Sequence, residues 1–313
     1  AVTIRAHGGV ALFPQDGDDP TTLFKNAVAA MEDARNSHSI PFKLHSGTVR
    51  LRALQRQDLE LELRSALERD EYALNFLPIV DAQSGVPCTL EALLRWPDKV
   101  LGSQTTREIV AIAERTGLIV PIGDWVLNHA CEQLRRWHEK GYDTVRLAVN
   151  VSTQEFSRSD LVRRIEAILS TTGVDPRQLD LEIRENILFR DALRDYSMCL
   201  DLKSLGVGIV VDDYGTGACS LAHLAQSPID AIKIDNMFVA NIETSERDRV
   251  ACTAAVALAD KLGIKVIAEG VETKAQAEFL QEHGCDLLQG FLFSEPLPNA
   301  KTLDYLSDFA VDQ

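Results

Sequence analysis

From Tyr72 onward the chain alternates between short runs of β-branched residues or leucine and longer amphipathic stretches, and this beat constrains the fold more than any other feature. The short runs predict strands at 74–80, 89–94, 145–151, 179–183, 207–211, 231–234, 265–268 and 286–291. Helices are predicted at 107–115, 124–140, 160–170, 192–205, 247–262 and 274–283, several stopped by a glycine at Gly117, Gly141, Gly206, Gly263 or Gly284. Eight strand signals in the 242 residues from Tyr72 on match an α/β (β/α)8 TIM-type barrel, which typically needs about 250 residues. A doubly wound open sheet is the alternative, but no G-x-G-x-x-G follows a strand.

The part before Tyr72 is of a different kind. VTIRAHGGVALFP reads as a strand, QDGDDP as a turn, and residues 21–35 as an amphipathic helix. Residues 2–44 are too few to enclose a core alone, so this piece is expected to pack on a neighbour or to be the tail of a domain that begins elsewhere. Leucines at 51, 54, 59, 61, 63 and 67 between charges predict a connecting helix with one buried stripe. The expected domains are therefore 1–46, 47–70 and 71–313.

Composition narrows the function. With 47 acidic against 32 basic residues the formal net charge is −15, which argues against a nucleic-acid polymer as partner, because such binding rests on clustered Lys and Arg. Hydrophobic residues at 45% in short, charge-broken runs exclude both disorder and a membrane segment. The six cysteines, Cys88, Cys131, Cys199, Cys219, Cys252 and Cys285, form no C-x-x-C pair, the seven histidines are dispersed, and no apolar signal opens the chain. A reduced, cytoplasmic protein without structural zinc is expected.

The chemistry is written around the strand ends. Glu91 in TLEALLRW, Asn150 in RLAVNVS, Glu182 and Glu185 in LDLEIRE, Asp212 and Asp213 in GVGIVVDDYGTG, Lys233 in AIKID, Glu269 and Glu272 in KVIAEGVE and Gln289 in DLLQGF are all polar or charged. A barrel brings the C-terminal ends of its strands to one mouth, so these residues should converge. Any one carboxylate there is an ordinary loop residue; together they repel unless a cation neutralises them. An all-oxygen set with one amide suits Mg2+ or Mn2+, and two adjacent aspartates can bridge a pair of ions of the kind used in phosphoryl chemistry. Lys233 then either orients a water, meets a phosphate, or simply pairs with a carboxylate.

These residues carry a resemblance. EALLRW, AERTGLI, VNVSTQEF, LEIRE, VDDYGTG, PIDAIKID, IAEGVET and GCDLLQGFLFSEPLP follow one another as in the EAL domains, the family of cyclic di-GMP phosphodiesterases. The resemblance implies a barrel whose first strand is antiparallel, two Mg2+ or Mn2+ ions with Ca2+ inhibitory, and hydrolysis of one phosphodiester of cyclic di-GMP to linear pGpG. It implies metal ligands at Glu91, Asn150, Glu182, Asp212 and Asp213. Lys233 and Glu269 fall on the water-activating positions, with Glu272 in the same site and Glu185 holding the loop after Asp213. Arg95, Leu93, Gln289 and Asp213 fall on the substrate side. The family also implies a homodimer through the 212–221 loop region.

Four places depart from the family pattern. Leu77 stands where a Gln is usual, Arg184 where a Thr is usual, Ala218 and Cys219 where Tyr-Ser is usual, and Asn236-Met237 where Arg-Ser is common. Residues 2–44 resemble, more weakly, the C-terminal part of a GGDEF diguanylate cyclase domain without its signature turn, as in a piece of a longer tandem protein whose parent could be membrane-attached. Two other functions compete with the phosphodiesterase: a cyclic di-GMP receptor with little turnover, and an enolase-like barrel, which the DD-x-GTG and AEGVE contexts disfavour.

Overall fold

The eight strands expected between residues 74 and 291 all form, and they close into a barrel. The computed structural model describes residues 7–14, 16–36, 42–45, 59–96, 106–217 and 221–309, and the chain divides into two compact units, Ala1–Ser65 and Ala66–Gln313. Ala218 and Cys219, the strand residues 2–6 and the leucines at 51 and 54 lie outside the described residues.

In the smaller unit β1 (Gly8–Val10) pairs in parallel with β2 (Phe42–Leu44), and the helix Pro20–Asn36 connects them. The connecting stretch is helical over 59–68 among its described residues.

The larger unit contains β3 (Ala73–Asp81), β4 (Pro87–Arg95), β5 (Arg146–Val151), β6 (Leu179–Arg184), β7 (Gly208–Tyr214), β8 (Ala231–Ile234), β9 (Lys265–Ala268) and β10 (Leu287–Gln289). Neighbours from β4 to β10 are parallel, whereas β3 runs antiparallel to both β4 and β10 and closes the ring between them. A two-residue strand that the sequence did not reveal, β11 (Leu297–Pro298), adds to β3. No helix among the described residues is long and apolar enough to cross a membrane.

Side chains alternate along a strand, so residues two apart share a face. Inside the barrel Ile79, Val210, Ala231, Ile267 and Leu287 form one apolar cluster, with Cys88 against it. Two residues further along the same strands stand Asp212, Lys233, Glu269 and Gln289. The interior is thus a dry plug with a polar layer directly above it. On the outside, Phe76 meets Trp137 edge-on at 4.7 Å, anchoring the long helix Ile119–His138 to β3. That helix starts earlier than the expected residue 124; Pro121 sits in its first turn, where a missing N–H breaks no helical bond.

β10 is shorter than the expected 286–291. At Gly290 the backbone turns in against the loop after β9: a Cβ there would lie 2.1 Å from the Val271 carbonyl oxygen, a space only glycine allows. The Val271 N–H donates to the Gln289 carbonyl at 3.0 Å, and the Leu292 N–H to the Val271 carbonyl at 3.0 Å. The AEGVE segment is fastened to the end of β10 in this way.

Candidate active site

A lysine buried in the barrel interior organises the polar layer. Lys233, 1% exposed, donates from Nζ to Glu91 Oε2 at 2.9 Å and to Glu182 Oε2 at 3.1 Å. Glu91 Oε2 also accepts from Gln289 Nε2 at 2.7 Å, and its Oε1 accepts from Asn150 Nδ2 at 2.8 Å. Four strands, β4, β5, β8 and β10, therefore meet on one carboxylate. Glu91 is not at a strand end, since β4 continues to Arg95, and the antiparallel β3 beside it sets Leu77 opposite Glu91.

The electrostatics follow from burial set against charge. Burial opposes ionisation of Glu91, but the Lys233 ammonium and the hydrogen bonds from Lys233, Gln289 and Asn150 outweigh it and hold its pKa below the ordinary value. For Glu182 burial wins, reinforced by the Glu91 charge, and its pKa lies well above the usual range. Burial also opposes the Lys233 charge, yet Glu182 and Glu91 overcome it, so the group stays an ammonium. Burial pushes Glu269 up to about 7 and raises Asp213, which also feels Asp212 and Asp235.

The Asp212-Asp213 pair owes its geometry to a bulge. Consecutive residues of a regular strand point to opposite faces, but between Val211 and Tyr214 one extra residue is inserted relative to β8, and Asp213 adopts φ 55°. One carboxylate oxygen from each of Asp212, Asp213 and Glu269 falls within 4.8 Å of the others. Glu185, buried at the start of the turn after β6, accepts from the Gly215 N–H at 2.8 Å and the Gly217 N–H at 3.3 Å. A Cβ at Gly217 would approach Glu185 Oε1 to 2.6 Å, so the carboxylate and the loop fit against each other. Glu272, by contrast, is exposed and joins no hydrogen bond of the buried network.

Beside this layer lies a cavity of about 430 Å³ that includes Leu93, Arg95, Asn150 and Arg184 in its lining, with Tyr72 and Trp96 as an aromatic wall. Tyr72 packs edge-on against Trp96, centroids 5.9 Å apart. Burial lowers the Arg95 pKa, and its Nη1 donates to the Leu94 carbonyl at 3.0 Å. Tyr72, Ile122, Val126 and Glu155 also line this wall, and the sequence pattern alone does not single them out as lining residues. Glu155 carried a signal: Ser152 and Glu155 are spaced as a capping box, and the box forms, with the Ser152 N–H donating to Glu155 Oε2 at 3.0 Å.

Two carboxylate oxygens in the layer, Glu182 Oε1 and Asp212 Oδ1, are buried and accept no hydrogen bond among the described residues. Oxygens of this kind are stabilised by a cation. The donor set is all oxygen, in a partly dry site with an open mouth, and it fits a hard divalent metal.

The EAL domain family model matches residues 60–296. The chain is 37% identical over 311 residues to the cyclic di-GMP phosphodiesterase NbdA of Pseudomonas aeruginosa, a match covering 99% of this chain and 40% of that protein. It is 39% identical over 302 residues to the bifunctional diguanylate cyclase/cyclic di-GMP phosphodiesterase MucR of the same organism, covering 96% of this chain and 44% of that one. It thus spans less than half the length of these curated relatives. A solved structure of the MucR phosphodiesterase in complex with cyclic di-GMP superposes with a TM-score of 0.74 at 40% identity, covering 79% of this chain and 99% of that one.

Proposed function

The chain belongs to the EAL domain family, and on that premise we propose that its barrel hydrolyses one phosphodiester bond of cyclic di-GMP to linear pGpG, using two Mg2+ or Mn2+ ions. The observation that carries the reading is the pair of buried, unpartnered oxygens on Glu182 and Asp212, beside a protonated Lys233 and below an open groove.

In this reading Glu91, Asn150, Glu182, Asp212 and Asp213 hold the ions. Divalent ions there would polarise phosphoryl oxygens and make water a stronger acid. Lys233 keeps Glu91 ionised and orients both Glu91 and Glu182, and its ammonium faces the reacting phosphate or water. Glu269 takes a proton from the attacking water, which adds across one P–O bond to leave a phosphomonoester on one nucleoside and a hydroxyl on the other. Gln289 fixes Glu91, Arg95 and Leu93 line the groove, and Glu272 lies on the loop that Gly290 fastens. Ca2+, with its larger and looser coordination sphere, is expected to bind and inhibit. The family resemblance further supports a cytoplasmic homodimer built through the 212–221 loop region and a GGDEF-like identity for residues 1–46.

Glu185→Ala should leave the loop carrying Gly215 and Gly217 without its anchor. The expected result is a Mg2+ midpoint for activity shifted upward severalfold, with the rate partly restored by excess Mg2+. An unchanged midpoint would detach the loop from metal binding.

The test of the function is direct. Incubated with cyclic di-GMP and Mg2+, the protein should give linear pGpG, resolved by anion-exchange chromatography. Tight binding without any product would favour the receptor reading, for which Leu77, in place of a usual Gln, is the motivating departure.

A further inference from the structure

Strand phase puts a second arginine at the rim of the groove. On β6, Asp180, Glu182 and Arg184 share one face, and Arg184 keeps extended backbone, φ −60° and ψ 143°. Two residues of strand rise about 6.6 Å, so Arg184 stands one pleat above the buried Glu182, in register with Asp212 of β7. On β4 the same alternation carries Glu91, Leu93 and Arg95 from the buried layer up to the rim. Between the two strands runs β5 with Asn150, itself in register with Glu182. Arg95 and Arg184 thus stand on either side of β5, two strands apart and roughly 10 Å at the backbone, one pleat above Asn150, and all three line the same cavity.

The two cations differ. Arg95 is half-buried and Arg184 exposed, and neither has an ion pair within 4.0 Å among the described residues. Arg184 is close enough to Asp213 for its charge to act on that carboxylate, without forming a salt bridge. In a chain of net charge −15, an exposed guanidinium on the lip of an acidic site, with no ion pair within 4.0 Å among the described residues, is free to receive an anionic ligand. Its planar fork suits phosphate oxygens better than a ring edge.

We propose that Arg184 is a substrate-contacting residue that binds a phosphate of the cyclic dinucleotide across the groove from Arg95. The proposal rests on the phosphodiesterase reading and deepens it. Arg184 acts in binding more than in the chemical step, because it stands a pleat outside the reacting layer. Its exposure makes the contact sensitive to salt, over a screening length of about 10 Å at 0.1 M.

The experiment compares wild type with Arg184→Met and Arg184→Lys. Arg184→Met should raise KM about tenfold, the scale of one charge-assisted contact, with kcat within about twofold. Arg184→Lys should recover part of the loss. The dissociation constant for cyclic di-GMP, measured by calorimetry in a Glu269→Gln background, should rise in parallel, and the salt dependence of KM should flatten in Arg184→Met. An unchanged KM and dissociation constant, or a shift confined to the Mg2+ midpoint, would overturn the proposal; the latter would mean that Arg184 serves only Asp213. A wild type that neither binds nor hydrolyses cyclic di-GMP would instead overturn the phosphodiesterase reading beneath it.

Discussion

Lys233→Met is expected to lower the stability of the metal-free protein by about 3–5 kcal/mol and to abolish hydrolysis, because it leaves buried carboxylates without their cation. Glu91 and Glu182 are 6% and 1% exposed, and both oxygens facing Lys233 would lose a charged donor. The apolar plug beneath offers no replacement partner. Urea unfolding in EDTA measures the loss, and the same titration in millimolar Mn2+ separates two explanations. If divalent ions share the site, Mn2+ should recover part of the stability without recovering activity. A variant as stable as the wild type in EDTA would show that the carboxylates do not depend on the ammonium.

Glu269→Gln is expected to lower kcat by about 10²–10⁴ while leaving the dissociation constant for cyclic di-GMP within about threefold. The side chain keeps its shape and loses its charge and its capacity to take a proton. Glu269 lies with Asp212 and Asp213 in one oxygen cluster, but it shares no hydrogen bond with Glu91, Asn150 or Glu182, so their network should survive the change. The measurement pairs single-turnover kinetics with calorimetry. A kcat equal to that of the wild type would remove Glu269 from the chemistry.

The barrel was legible because its signal is local and repeated. Strands β8 and β9 fall on 231–234 and 265–268 as read, and the helix Ala192–Leu205 ends where Gly206 takes a left-handed φ of 97°. The antiparallel direction of β3 came from family resemblance alone, since strand direction leaves no trace in an alternating pattern. β11 has two residues and no periodicity to read. Within the site, strand phase explains why Lys233, Glu182 and Gln289 lie in one layer. It gives no hint of the bulge that turns Asp212 and Asp213 toward one point, because a bulge is defined by the partner strand. The wall of Tyr72, Ile122 and Val126 was hidden for a simpler reason: apolar residues that line a groove look the same in sequence as those that fill a core.

Everything proposed here depends on the carboxylates of β4, β6 and β7, with Asn150 of β5, gathering to hold divalent cations. Counting bound Mn2+ by electron paramagnetic resonance, for wild type and Asp212→Asn without substrate, tests it most directly. Saturable binding approaching two ions per chain is expected in the wild type, and weaker or fewer sites in the variant. A wild type that binds no Mn2+ at millimolar concentration, or a variant that binds as the wild type does, would contradict it.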